Sequence, residues 1–124
     1  MALPDSRLDS DTGDVIVSVK NLKKYYQVGR GFFRRQHALL HAVDDISFDV
    51  ARGEVLGLVG ESGCGKTTTG RMLVRLTSPT SGSIVVDQTD VSSISGADMG
   101  PFRQKVQMIF QDPYESLDPR MTIF

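Results

Sequence analysis

Five stretches of the chain carry hydrophobic patterns that predict β-strands. Valines at positions 15, 17 and 19 alternate with other residues over 15–20, and apolar and polar residues also alternate over 46–50. Alternation is typical of half-exposed strands, and we expect these two to pair antiparallel. The continuous apolar run 55–59 predicts a strand buried on both faces, as does the run 106–110, and residues 84–86 predict a short strand.

Helical spacing is confined to two short segments. Met72, Leu73 and Leu76 share one face of a predicted helix over 67–76, which Pro79 prevents from continuing. Asp98 to Arg103 predicts a brief second helix. The serine- and glycine-rich residues 92–97 and the proline-containing residues 111–124 predict loops.

A glycine-rich loop lies between the apolar run 55–59 and the first helix, and it matches the phosphate-binding pattern of two glycines, four residues apart, followed by Lys and Ser/Thr. This strand–loop–helix context predicts a site for a nucleoside triphosphate with magnesium. The residues expected to hold the phosphates are Gly60, Glu61, Ser62, Gly63, Cys64, Gly65, Lys66, Thr67 and Thr68.

Each residue type in this loop suits a triphosphate. Glycines allow positive φ and a close backbone approach, and the helix N-terminus directs free N–H groups at the anion. Lys66 adds a positive charge, and the Thr67 hydroxyl suits magnesium, which prefers oxygen ligands. Cys64 is the only cysteine. A helix N-terminus can lower the pKa of a thiol, which would suit a redox role. We favour instead the interpretation that Cys64 is a small residue of which only the backbone is used.

Composition excludes several classes of protein. The 124 residues contain 14 basic and 15 acidic side chains, so no bulk field favours nucleic acid or membrane. There is neither an apolar run near 18 residues nor a secretion signal, and we expect a cytoplasmic protein that could still sit peripherally on a membrane complex. Residues 1–14 are acidic and predict a flexible leader before a single domain over 15–124.

Two further patterns have competing interpretations. Segment 20–35 is basic with interleaved aromatics, which fits either a solvated hairpin or a platform for single-stranded nucleic acid, and one ring could instead stack on adenine. We favour the solvated hairpin. His37 and His41 are four residues apart, but they would form a metal pair only on a helix, and their neighbours predict loop and strand.

Taken together, the motifs resemble the nucleotide-binding subunits of ABC transporters, in particular the oligopeptide and dipeptide importer ATPases. The resemblance covers roughly residues 15–124 and rests on segments 19–26, 31–33, 42–48, 60–68, 106–113 and 114–122. It implies an α/β fold: a P-loop NTPase core with a partial parallel sheet and helices, plus an N-terminal antiparallel β subdomain. The chain would be the N-terminal half of such a domain, with the fold incomplete at its C-terminus.

The resemblance also implies roles for single residues. Tyr26 would stack on adenine, with Tyr25 as the competing candidate because the register is uncertain. Gln111 would be the Q-loop glutamine, contacting magnesium or the attacking water, and with Lys66 and Thr67 it would complete the catalytic and metal-binding set. The implied ligands are ATP and Mg²⁺, and the implied partners are permease subunits and a second ATPase subunit in a head-to-tail dimer. No nucleic-acid partner is expected.

The chain departs from that family because its 124 residues lack a Leu-Ser-Gly-Gly-Gln segment, a Walker B aspartate, a catalytic glutamate and a switch histidine. We therefore expect the chain to bind nucleotide without turnover. We also expect the apolar runs 55–59 and 106–110 to leave strand edges without partners, which favours self-association.

Overall fold

The computed structural model describes residues 14–29 and 38–111, and its centre is one antiparallel sheet. Strand order is β2-β1-β3-β4, and each neighbouring pair is antiparallel. The strands are β1 (Val15–Val28), β2 (Ala38–Ala51), β3 (Ser81–Val86) and β4 (Thr89–Asp90). The predicted antiparallel pairing of the first two strands is confirmed, with Val19 opposite Phe48.

The helical elements follow the glycine-rich loop and the last strand. Helix α1 spans Lys66–Leu73, a 3₁₀ turn spans Gly96–Asp98, and α2 spans Met99–Lys105. Both predicted helices are therefore present, and the 3₁₀ turn overlaps the predicted loop 92–97. Within the described ranges, no helix has the length and hydrophobicity needed to cross a bilayer.

The core lies where the helices pack against the sheet. Val19 and Leu22 of β1 and Ile84 of β3 are fully buried, and Met72 covers them from α1. Burial of each such side chain contributes about 1.5–3 kcal/mol. The remaining buried apolar residues are Val43, Val86, Val91 and Phe102. This core fixes α1, and with it the end of the glycine-rich loop, against the β1–β2 hairpin.

Helix α1 ends at Leu73, earlier than the predicted Leu76. Arg75 has a left-handed φ of 58°, and the Leu76 N–H donates to the Arg71 carbonyl at 2.9 Å while the Arg75 N–H donates to Met72. These two bonds form a Schellman motif, which caps a helix by reversing the chain. The apolar spacing therefore extends past the backbone reversal that ends the helix.

The predicted buried strands 55–59 and 106–110 are wrong for this chain. Residues 55–59 contain only an isolated bridge, at Val59, which is 68% exposed, while Val55 is 94% exposed. Residues 106–110 form no strand, and Ile109 is 96% exposed. A continuous apolar run becomes a buried strand only if neighbouring strands pair with it and both of its faces are covered. No strand among the described residues forms a ladder with either run.

The partial parallel sheet is likewise not found among the described residues, because the three pairs of neighbouring strands there are all antiparallel. The expected self-association through open apolar segments stays a prediction. The leader up to residue 13, most of the hairpin loop and residues 112–124 lie outside the described residues.

Candidate nucleotide-binding site

The glycine-rich loop turns into α1 through two left-handed glycines. Gly63 has φ 79° and Gly65 has φ 92°, and residues with a Cβ adopt these backbone conformations only with strain. Gly65 is the N-cap of α1, no side chain caps the helix, and its first turn contains no acidic residue. The first backbone N–H groups of α1 thus form the positive helix end to which anions bind.

Lys66 begins α1, and its ammonium lies inside the loop. Nζ donates to the carbonyl oxygens of Gly60 at 2.5 Å and Glu61 at 2.7 Å, and to Cys64 Sγ at 3.2 Å. An ammonium has three donors, so these contacts use all of them. The loop therefore holds a positive charge at its centre, which favours the approach of an anion to the N-terminus of α1.

Cys64 responds to that charge. Desolvation raises the pKa of its thiol, but the hydrogen bond from Lys66 and the charge of the ammonium outweigh it, and the pKa lies below its ordinary value. The interpretation that only the backbone of Cys64 is used stays a prediction.

Backbone packing joins the loop to the hairpin. A Cβ on Gly65 would run into the carbonyl oxygen of Ala42 on β2, so the two backbones touch. Thr69, fully buried one turn into α1, donates its hydroxyl hydrogen bond to the Gly65 carbonyl at 2.8 Å. The loop is thereby anchored to β2 on one side and to α1 on the other.

A cavity of about 430 Å³ lies between the hairpin and the loop. Its lining comes from β1, β2, the loop, the first turn of α1 and the end of the described chain. The lining residues are Tyr26, Leu40, His41, Ala42, Ser62, Gly63, Gly65, Lys66, Thr67, Thr68 and Gln111. Gly60, Glu61 and Cys64, also predicted for the site, contact Lys66 instead of lining the cavity.

The two neighbouring tyrosines occupy different surroundings. Tyr26 is 39% exposed and lines the cavity, with the Lys24 ammonium 5.0 Å from its ring centroid. Tyr25 is not part of the lining: it stacks on His41 and donates its hydroxyl to Asp44. A bound base would reach Tyr26 without displacing these contacts of Tyr25.

Thr67 and Gln111 line the same cavity as Lys66, although 44 residues separate them along the chain. A hydroxyl and an amide carbonyl are oxygen donors, the kind of ligand that magnesium prefers. The donor set therefore fits Mg²⁺ that arrives with a polyphosphate. No cluster of three His, Cys, Asp or Glu suited to a metal occurs in the described part of the chain.

Sequence reasoning assigned no ligand to three of the residues that line the cavity, Leu40, Ala42 and His41. His41 lies in β2 opposite Tyr25. The two histidines were expected to form a metal pair only if they lay on a helix, but His41 is on a strand and His37 lies outside the described residues. No local sequence pattern marked His41 as a cavity residue, and only the packing of β2 on the loop reveals it.

The basic and aromatic segment is partly engaged within the fold. Lys20 pairs with Asp49 at 3.1 Å, and Lys24 donates to the Ser78 carbonyl at 2.8 Å. The arginines and phenylalanines of 30–35 lie outside the described residues. Nothing in the described part of this segment favours nucleic-acid binding.

Two other cavities contain no part of the glycine-rich loop. One, of about 290 Å³, lies between β3, β4 and α2, and the other, of about 350 Å³, lies beside α1 and residues 106–109. Both are lined mainly by apolar side chains. The cavity at the glycine-rich loop is larger than either of these two and has the more polar lining.

The chain is similar in sequence to a known protein family. A sequence model described as ABC transporter matches residues 43–124. The chain belongs to the ABC transporter family. The resemblance of the sequence motifs to this family is therefore confirmed.

Relatives in this family are considerably longer. A probable peptide ABC transporter ATP-binding protein of Sinorhizobium fredii is 45% identical over 109 residues, which cover 88% of this chain and 31% of that protein. The glutathione import ATP-binding protein of Salmonella paratyphi A is 45% identical over 125 residues, or 98% of this chain and 20% of the relative. The chain thus spans less than a third of the length of these ABC transporter proteins.

Solved structures agree on the fold. The dimeric structure of a bacterial ABC transporter cassette matches with a TM-score of 0.69 at 22% identity, over 86% of this chain and 43% of that one. A dimeric post-hydrolysis ATP-binding cassette with ADP and Pi matches with a TM-score of 0.62 at 24% identity, over 72% and 35%. The predicted α/β class, as part of an ABC cassette, is confirmed.

Proposed function

We propose that the chain is the ATP-binding part of an ABC transporter ATPase subunit that couples ATP hydrolysis to the import of peptides or similar small solutes. The observation that carries the proposal is the shared cavity: the fold brings Tyr26 from β1 to the loop that begins α1. The names of the relatives, peptide transport and glutathione import, support the solute class.

Each part of the cavity has a role in this proposal. The backbone N–H groups of the loop and of the first turn of α1 hold the phosphates, and Lys66 neutralises their charge. Tyr26 provides the ring on which adenine stacks. Thr67 and Gln111 hold Mg²⁺, which neutralises phosphate charge when bound. Gln111 also orients the attacking water in the complete subunit.

The partners and location follow from the family. We propose permease subunits and a second ATPase subunit as partners, with the protein peripheral on the inner face of the cell membrane. The two matched cassettes are dimeric, which supports the second subunit.

A titration panel tests the nucleotide site. In isothermal titration calorimetry of the 124-residue chain, Mg-ATP should bind at least about tenfold more tightly than AMP, since AMP lacks the β- and γ-phosphates that Lys66 and the loop would contact. Mg-tripolyphosphate should bind as well. A chain that melts cooperatively but shows neither heat nor a thermal shift with Mg-ATP would overturn the proposal.

We further propose that this chain binds ATP without turning it over. Among the described residues that line the cavity, none carries a carboxylate to act on water, so the lining supplies phosphate contacts without a general base. Steady-state phosphate release should therefore match that of Lys66→Ala. Release well above that background would contradict this proposal and leave the binding proposal standing.

A further inference from the structure

Lys24 and Tyr26 lie on the same face of β1. Successive side chains of a strand point to opposite faces, so residues two apart share one face. The Lys24 ammonium lies over the Tyr26 ring, 5.0 Å from its centroid. At this distance a cation is attracted to the negative face of an aromatic ring. Lys24 therefore occupies one of the two faces on which a planar group could stack against Tyr26.

The ammonium is itself held in place by backbone. Lys24 is half-buried, and its Nζ donates to the Ser78 carbonyl at 2.8 Å, in the segment that connects α1 to β3. The same segment is bonded to β1 on either side of Lys24. The Thr80 N–H donates to the Lys23 carbonyl at 2.8 Å, and the Tyr25 N–H donates to the Thr80 hydroxyl at 2.9 Å. The cation is thus anchored to a fixed part of the fold.

The other face of the Tyr26 ring borders the nucleotide cavity. Tyr26 lines this cavity, and so does Leu40, its partner across the strand pair, which is 56% exposed. Lys24 does not line it. The ammonium therefore covers the ring face that is turned away from the cavity, and the glycine-rich loop closes the same space on its far side.

An exposed ring needs such a contact if it is to offer one face to a ligand. Tyr26 is 39% exposed, and exposed side chains change rotamer within nanoseconds. A base stacks on the ring in one orientation only, so the apparent affinity falls with the fraction of time that the ring spends elsewhere. The contact with Lys24 raises the population of the orientation that borders the cavity.

We propose that Lys24 is a positioning residue for the nucleotide base: its ammonium holds the Tyr26 ring so that the free face receives the base. The inference rests on the proposed nucleotide site and extends it. The chemistry recognised at this end of the cavity is a planar aromatic base, and Lys24 acts on that base only through Tyr26.

Titrations with Mg-ATP and Mg-tripolyphosphate test the proposal, because only the first ligand carries a base. Lys24→Met keeps the length of the side chain but removes its charge. It should weaken Mg-ATP binding about two- to fivefold, the equivalent of one exposed cation–ring contact, and leave Mg-tripolyphosphate binding within about twofold of wild type. Lys24→Arg keeps a cation and should bind Mg-ATP within about twofold of wild type. Equal weakening of both ligands by Lys24→Met would overturn the proposal, since the lysine would then act on the phosphates.

Lys23→Met is the matched control for the loss of charge. Lys23 is the neighbouring lysine on β1, half-buried like Lys24, and its side chain points to the opposite face of the strand. Its replacement should leave the binding of both ligands within about twofold of wild type, because exposed charges are screened. If it weakened Mg-ATP as much as Lys24→Met does, the contact with Tyr26 would not be the cause.

Two further measurements show whether Lys24 acts through the ring. In a Tyr26→Ala background, Lys24→Met should cause no added loss of Mg-ATP affinity, and an added loss would contradict the proposal. The chain contains no tryptophan, so Tyr26→Trp introduces a single fluorophore at the ring position. Without ligand, Lys24→Met should lower the fluorescence anisotropy of that fluorophore, because the ring is no longer held. An unchanged anisotropy would count against positioning.

The outcomes separate this inference from the proposal on which it rests. If wild type binds neither Mg-ATP nor Mg-tripolyphosphate, the nucleotide site itself is wrong. If wild type binds both, and Lys24→Met leaves the ratio of the two affinities unchanged, only the role of Lys24 is overturned. Binding of Mg-tripolyphosphate by each variant also shows that its glycine-rich loop is folded.

Discussion

Gly65→Ala is expected to destabilise the protein by about 2–5 kcal/mol and to abolish detectable Mg-ATP binding. Gly65 has φ 92°, where an alanine costs about 1–2 kcal/mol, and its Cβ would collide with the Ala42 carbonyl, so a backbone must shift at a further cost of about 1–3 kcal/mol. Because this contact joins the loop to β2, the shift also opens the cavity. Urea unfolding followed by circular dichroism measures the first effect and calorimetry the second.

Gly63→Ala is the matched control for the collision. Gly63 has a similar φ of 79°, but a Cβ there meets nothing within 4 Å. Only the conformational cost of about 1–2 kcal/mol should remain. If the two variants were equally stable, the packing of Gly65 on β2 would not be what holds the loop.

Lys66→Ala is expected to raise the dissociation constant for Mg-ATP by about 10- to 100-fold, the equivalent of about 1.5–3 kcal/mol for hydrogen bonds from a charged donor. Lys66 lies at the centre of the loop, where Nζ contacts Gly60, Glu61 and Cys64. The same titration with tripolyphosphate should show a comparable loss, since Lys66 acts on the phosphates.

Lys105→Ala removes an equal charge elsewhere and controls for bulk electrostatics. Lys105 ends α2, pairs with Asp87 at 3.3 Å at the surface, and does not line the nucleotide cavity. It should leave Mg-ATP affinity within about twofold, because exposed ion pairs are worth little and distant charges are screened. Equal losses in the two variants would show that net charge, and not the position of Lys66, governs binding.

Local patterns predicted the parts of the molecule whose structure depends on near neighbours in sequence. The loop from Gly60 to Thr68, the start of α1 and the β1–β2 hairpin are such parts, since glycine spacing and apolar alternation act within a few residues. The early end of α1 was missed because the left-handed turn at Arg75 occurs at a residue without a glycine signal.

Such local patterns predicted only part of the candidate site. Lys66 and Thr67 follow from the motif, but the choice between Tyr25 and Tyr26 depends on which ring faces the cavity, and His41 carried no motif. The surroundings of two adjacent residues on a strand differ because they lie on opposite faces of the sheet. Which face meets the cavity depends on the pairing register and on the packing of the sheet, and neither can be predicted from one strand alone.

Residue order alone predicted the ligand chemistry, because backbone amides, a lysine and a hydroxyl in this spacing suit phosphates wherever the loop is placed. Tertiary packing decided which distant side chains join that loop and whether apolar runs become strands. The Ala42–Gly65 contact brings Tyr26 and His41 to the phosphate loop, while residues 55–59 stay exposed, since no described strand covers them. Burial and juxtaposition depend on neighbours far along the chain, and only the folded arrangement supplies those neighbours.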